Sequence, residues 1–491
     1  MLVLVGCCSL LLAAPEVHAE DKELFDFEDD FSIKAWRQID VYALREAEAK
    51  AEAEAKAAKD PSAPAYRPPA SLPKDPAVKI EWTTENVTHG KHAMKLTFAG
   101  GRFPTISTRS PLEDWRPYKS FHADVTASRT CMVVFRAMSE TSKYGTSYNS
   151  GVSRWEFAAR LKPGKNSVVA PAPPYANVLW QKVKTVEIYM YQPHDGEAIT
   201  VDHVRLSSES IKPTSPFNEA LAVPAGGYKV LGTDLVVKDV NELADKLKDK
   251  WVRPADKTVE QVEADFRAEY ETIRKKNPRA VLAILREGQK GYDPANPARQ
   301  FVGWEDAGTP SHLPMALTLA IFSNTGKSER IETCFRNRPG FMRIDLSSVP
   351  RGFEILAARL LVVRAVEIGN NWSTKPTMFV AEPCNRPWKE HEVNVFEYAK
   401  DKFWNDYAGL SWGDDEDCTA VFLAHGPSAG KTLSLDFTQA VRYWNEGKRP
   451  NQGFILYGAP KYVDYLNIFT RECKELKNRP ALMVIYQHKK Q

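Results

Sequence analysis

Cysteine is scarce in this chain of 491 residues, with seven in all. Cys7 and Cys8 fall in an apolar leader, and Cys131, Cys334, Cys384, Cys418 and Cys473 remain. None of these stands at CxxC spacing, which excludes a zinc ribbon or finger. Their odd number leaves at least one unpaired in a monomer, and the four beyond residue 300 allow three disulfide connectivities, all open from sequence. Net charge is nearly absent: 66 basic against 63 acidic residues leave +3, so no overall field draws the chain to nucleic acid. Beyond the leader no apolar run reaches the ~18 residues of a membrane helix, and no membrane span is expected.

A catalytic signature is missing as well. The stretch from Gly426 to Thr432, GPSAGKT, approaches a phosphate loop but has His425 where the first glycine must stand. Read as G-x-S-x-G it needs a strand, a sharp turn and a helix, whereas Lys431 to Phe437 alternates like a strand. A Gly/Pro/Ser hairpin loop explains every residue, and no catalytic residue is assigned. Asp414 to Asp417 lacks the alternating pattern of an EF-hand and reads as a solvated acidic turn.

What is present begins with MLVLVGCCSLLLAAPEVHA, an apolar stretch ending in Val17-His18-Ala19, a small-residue cleavage site. Residues 1–19 are therefore expected to be a signal peptide, and the protein to be secreted or at the cell surface. Leu4-Val5-Gly6-Cys7 is similar to a lipoprotein box, although apolar residues continue past the cysteine, where a polar tether belongs. Ala43 to Lys59 is almost pure Ala, Glu and Lys, helix-forming but without an apolar stripe. Pro-rich sequence follows to Pro76, so residues 43–76 read as an inserted, solvated arm. Short alternating segments then recur to Leu206, separated by turn signals such as Lys162-Pro163-Gly164. The order FEDD, ENVTHGKHAMKLTF, WRPYKSF, LKPGKN and ITVDHVRL resembles the galactose-binding-like β-sandwiches of secreted polysaccharide-active proteins, over residues 20–210.

Residues 211–299 change period. Val240, Leu243 and Leu247, then Val259, Val262, Phe266, Tyr270 and Ile273, have helical spacing, with Thr258 and Gln261 as a capping box. A third helix is predicted from Ala280 to Arg286, ended by Gly288, and the whole reads as a small helical connector. From residue 300 to 491 strands return. Phe341, Arg343 and Asp345 alternate with Met342, Ile344 and Leu346, giving a polar and an apolar face, and Ile355 to Val363 is a near-continuous apolar run. The segment FMRIDLSSVP, the later LSLDFTQAVRYWNEGKRPNQG and the closing RPALMVIY together resemble the DNRLRE domain, an extracellular β-sandwich family with carbohydrate-binding members. The expected fold class is mainly β: two antiparallel, jelly-roll-like β-sandwiches joined by a helical connector.

Such a pair of sandwiches, with 12 Trp and 18 Tyr, implies a non-catalytic polysaccharide or glycan binder. The alternatives are a hydrolase or lyase whose carboxylates converge only in space, and a structural adhesion module. Tyr144 and Tyr148, in a polar loop, are candidate stacking platforms. Trp82 and Trp155 lie inside strand patterns and are assigned to the core. Arg343 and Asp345 share a polar strand face where the guanidinium is suited to an acidic sugar, with Trp388 and Trp412 as stacking partners. Glu28 or Asp29 near the first strand, with Asp202 in the last, would suit a structural Ca²⁺ ion of the kind the resemblance implies. An exposed acidic loop and a cross-strand ion pair account for the same residues. Asn86-Val87-Thr88 and Asn371-Trp372-Ser373 are sequons that matter only in a glycosylating host.

Overall fold

The computed structural model describes residues 20–60, 74–139, 154–171, 179–211, 225–231, 233–247, 255–293, 296–308, 326–333, 339–365, 378–405, 410–413, 416–419, 422–425, 427–458 and 466–488. The fold is mainly β, with every strand pair antiparallel, and divides into two units, Met1–Pro216 and Phe217–Gln491.

In the first unit, one sheet runs Val78–Thr83, Ala93–Ala99, Asp195–Ser207, Ser120–Ala127 and Gly164–Pro171, with Lys22–Phe25 also paired to Asp195–Ser207. The facing sheet runs Arg37–Ile39, Thr105–Arg109, Val183–Met190, Cys131–Ser139 and Arg154–Leu161. Alternation sends Leu96, Phe98, Phe121, Val133, Phe135, Ile188, Val201 and Leu206 into one apolar core between them. The strand Asp195–Ser207 pairs first with Ala93–Ala99, then with Lys22–Phe25. Its register against Ser120–Ala127 slips between Asp202 and Arg205, where His203 has φ +44°. That bulge turns Asp202 inward and His203 outward.

The Ala/Glu/Lys stretch is a helix, Val41–Lys59, started by the Asp40 side chain and burying only Val41 and Tyr42. Its solvated character follows from the missing apolar stripe. The far end of the predicted arm is different: Asp75 Oδ1 accepts from the amides of Arg102 (2.6 Å) and Phe103 (3.2 Å), and the Gln38 side chain donates to Pro76 O (2.7 Å). Residues 75 and 76 are part of the sandwich.

In the second unit a four-stranded sheet, Val281–Arg286, Ala481–Gln487, Glu354–Val363 and Thr432–Asp436, faces a five-stranded one, Trp304–Gly308, Gly340–Ile344, Phe454–Gly458, Met378–Pro383 and Phe422–His425. Ala280 to Arg286 is thus not a third helix. It pairs along its length with Ala481–Gln487, Val281 opposite Tyr486 and Arg286 opposite Ala481. A short apolar run reads the same as buried helix or buried strand, and the long-range partner decides. The helix Val259–Lys276, started by the Thr258–Gln261 capping box, lies on the outer face of this four-stranded sheet. Val262 and Phe266 cover Leu361, Val363, Met483 and Ile485, while Leu360, Val362, Leu482 and Val484 face inward. These strands are apolar at nearly every position because both faces are buried. Gly453, at φ +76°, lies against the backbone of Met342 and Arg343, where any side chain would collide with Met342 O.

Candidate functional site

The second unit carries a cleft of about 630 Å³ in which aromatic rings and polar groups meet. One wall is Tyr228, in the two-residue strand Tyr228–Lys229 that pairs with Val236–Val237. The base is Trp412, its ring perpendicular to that of Tyr228 with centroids 5.4 Å apart. The helix Thr438–Asn445 presents Gln439 and Tyr443 from the other side, and Lys229, Asp234 and Arg449 complete the polar lining. Trp412 cannot swing freely: its Nε1 donates to Glu382 Oε1 at 2.8 Å. Glu382, fully buried, also accepts from the Tyr457 hydroxyl and from Cys418 Sγ at 2.8 Å. Burial and then the Glu382 carboxylate push the Cys418 thiol well above its usual range, so it stays a thiol and donates. A rigid aromatic floor with donors and one carboxylate around it suits a polyhydroxylated ligand: ring faces take the apolar C–H face of a sugar, and polar groups take its hydroxyls. Among the described residues that line it, Asp234 is the carboxylate.

Of the described residues expected from sequence, Trp412 is the one that lines this cleft. Arg343 and Trp388 come together elsewhere and satisfy each other. The guanidinium lies 5.1 Å over the Trp388 ring, pairs with Glu305 and donates to Gln452 Oε1 at 3.3 Å. Trp388 is fully buried, donates to Gln452 O at 2.7 Å and packs on Phe341. Asp345 caps its own turn, accepting from Ser347 N (2.8 Å) and Ser347 Oγ (2.6 Å). Arg343 and Asp345 thus do not pair with each other; each has its own protein partners, Glu305 and Gln452 for the first and Ser347 for the second. Tyr228 and Tyr443 were missed because they sit beside a linker and on a helix, and only the fold brings them to Trp412. Ser428 donates to Asp256, and a strand, Thr432–Asp436, follows rather than a helix; the loop is not the expected hairpin, however, because Phe422–His425 pairs in the five-stranded sheet and Thr432–Asp436 in the four-stranded one.

In the first unit, Tyr144 and Tyr148 lie outside the described residues. Trp155 is core, as assigned, but Trp82 is not: it is 43% exposed, stacked 3.8 Å from the His92 ring in a shallow groove of about 410 Å³ with Glu81, Glu85 and Lys95. It stands at the end of an edge strand, past the point where alternation still points into the core, and its Nε1 donates to Phe27 O at 2.8 Å.

Glu28, Asp29 and Asp202 are each engaged by backbone amides. Asp202 Oδ2 accepts from Thr88 N (2.7 Å), Thr88 Oγ1 (3.1 Å) and His89 N (2.9 Å), and Oδ1 from His203 N (2.8 Å). Glu28 Oε1 accepts from Lys91 N (2.7 Å) and His92 N (2.9 Å), and these amides, His92 first, hold its carboxyl below the usual range. Any side chain at Gly90 would meet that carboxylate. Asp29 instead caps the helix Asp30–Lys34, accepting from Ser32 N at 2.6 Å. Asp202 and Glu28 are clamps that pin the turn between Thr88 and His92 at its two ends. Among the described residues the ionisable groups that do converge are Glu23 with His89 and His203, and Asp306 with Glu390 and Glu472.

No protein-family model matches the chain, and no curated protein matches it. Among solved structures it is similar to a family 11 carbohydrate-binding module from Clostridium thermocellum in complex with a β-1,3-1,4-mixed-linked tetrasaccharide. The identity there is 13%, covering 40% of this chain and 99% of that one, with a TM-score of 0.25. It is also similar to TmCBM61 in complex with β-1,4-galactotriose, at 10% identity over 27% of this chain and 83% of that one, with a TM-score of 0.19. An exo-β-agarase matches at 9% identity over 46% of this chain and 30% of that one, with a TM-score of 0.26. At these identities and scores the likenesses assign neither ligand nor site to this chain.

Proposed function

We propose that the chain is an exported, non-catalytic glycan-binding protein, with a galactose-binding-like first unit and a DNRLRE-like second unit. The single observation behind this reading is the cleft in which Tyr228, Trp412 and Tyr443 stand among Lys229, Asp234, Gln439 and Arg449. Its aromatic floor is held by a buried carboxylate, so little side-chain entropy is lost when a sugar ring stacks there. The ordered DNRLRE-like motifs from Phe301 to Tyr486 support the same reading, and the leader supports export. Among the described residues no helix is long and apolar enough to cross a membrane.

The test is a glycan array with the purified chain, followed by calorimetry on the best polysaccharide and an assay for released reducing or unsaturated ends. Binding without product is expected. Tyr443→Ala and Trp412→Ala should each weaken it about tenfold or more, as loss of a central aromatic contact does. Product release would make the chain a hydrolase or lyase instead. Silence across the array would leave it a structural module, and binding untouched by both substitutions would move the site away from this cleft.

A further inference from the structure

Away from the cleft, the second unit gathers three carboxylates, one buried and two partly buried, around one guanidinium. Asp306 lies in the strand Trp304–Gly308 and is fully buried; Glu390 follows Trp388 in a turn, and Glu472 stands in the turn after Leu466–Phe469. One oxygen of each lies within 4.8 Å of the others. Arg471 threads the group: Nε donates to Glu472 Oε1 (2.7 Å), Nη2 to Glu390 Oε2 (2.8 Å), Nη1 to Trp304 O, and its backbone N to Asp306 Oδ2 (2.8 Å). Glu390 Oε1 accepts from Asp306 N at 3.1 Å. Two atoms are left over, Asp306 Oδ1 and Glu472 Oε2, both shut off from water and with no hydrogen-bond donor. An unmet carboxylate oxygen in such a place costs several kcal/mol unless a proton or a cation meets it.

We propose that Asp306, Glu390 and Glu472 bind a divalent, oxygen-seeking cation of the Ca²⁺ type. Three carboxylates less one guanidinium leave two negative charges, which one divalent ion cancels. His391, whose Nε2 is 3.6 Å from Glu390 Oε2, is more than half exposed and lies on the solvent side of the cluster. The three converging groups are all carboxylates, the ligand set of a hard ion rather than of zinc or copper. The three oxygens all lie within 4.8 Å of one another, near enough for one ion with metal–oxygen bonds of about 2.4 Å to draw them together. The ion would join a strand and two turns that lie far apart in sequence, so it binds the folded chain only and stabilises it.

The full chain, stripped with a chelator, is titrated with CaCl₂, MgCl₂ and ZnCl₂ by calorimetry and by thermal melting. One Ca²⁺ per chain is expected, with a melting midpoint raised by roughly 5 °C at a hundredfold excess over Kd. Both effects should disappear in Asp306→Asn and Glu472→Gln and persist in Glu23→Gln, which alters the other converging group. If Asp306→Asn does not fold, Glu472→Gln decides. No heat and no shift in the folded parent chain would overturn the proposal, as would Ca²⁺ binding that survives both substitutions or is lost in Glu23→Gln. A higher midpoint for Asp306→Asn with no metal response in the parent would show that Asp306 and Glu472 share a proton instead.

Discussion

Removing the Asp202 carboxylate should loosen the turn that carries His89, whether or not calcium is present. Asp202 is buried to 1% exposure just before the bulge at His203. It accepts three hydrogen bonds from Thr88 and His89 and one from His203 N, at 2.7 to 3.1 Å. A charge-assisted hydrogen bond contributes about 1.5–3 kcal/mol net. The four do not add, because the turn can move out and rehydrate its amides once the acceptor is gone. Asp202→Ala should therefore cost about 3 kcal/mol, a fall of roughly 6–12 °C in the midpoint of a unit this size. Asp202→Asn keeps one carbonyl oxygen for the Thr88 and His89 amides and should lose about half as much. The assay is thermal melting of the full chain with calcium and with chelator, alongside amide exchange in residues 84–92. Exchange there should rise in Asp202→Ala while the strand Cys131–Ser139 keeps its protection. A cost below about 1 kcal/mol, or one that vanishes in chelator, would refute the clamp and return Asp202 to a calcium site.

The fold was legible wherever one strand face had to be buried. The alternation around Met342 and Ile344 and the helical spacing from Val259 to Ile273 both survive in three dimensions. Val281 to Arg286 failed as a helix because a strand buried on both faces has no period to read; its identity lies in Ala481–Gln487, nearly two hundred residues away. The candidate site was less legible, for a related reason. Trp412 was named as a stacking partner for the Arg343 face, yet it lines a different cleft, where it is held by Glu382 through a bond that no local pattern announces. Arg343 and Trp388 were named with it and turned out to answer each other. Glu28 and Asp202 were singled out as carboxylates near the two ends of one sandwich. Their roles were set by backbone amides, and sequence does not show where those point.

Two further outcomes follow from buried chemistry. Cys131, Cys384 and Cys418 are buried thiols; burial pushes Cys384 up to about 12 and raises Cys131 and Cys418 as well. Alkylation at pH 8 read by mass spectrometry should thus leave these three unmodified in the folded chain and label all of them in urea, and rapid labelling of Cys418 in the native state would contradict its bond to Glu382. The last concerns Arg136, which lies on the outward face of Cys131–Ser139 and is 1% exposed. Its Nε donates to Glu156 (2.5 Å) and its Nη1 to Glu187 (2.8 Å), and its guanidinium sits 4.7 Å over the Tyr189 ring. Burial works against its charge, but Glu156, then Tyr189 and Glu187, hold it well above the usual arginine range. Arg136→Met would remove the guanidinium that two fully buried carboxylates share, while Arg154 stays 3.7 Å from Glu156. Breaking a buried network from one side costs about 3–5 kcal/mol, a large share of a domain's stability. Because the penalty is that of unpaired negative charge, protonation relieves it: the folded variant takes up protons more readily than its unfolded chain, so the deficit should shrink as pH falls from 7 toward 4. Urea unfolding of parent and variant across that range measures it. A deficit that stays flat with pH would mean that lost packing on Tyr189, rather than stranded charge, carries the cost.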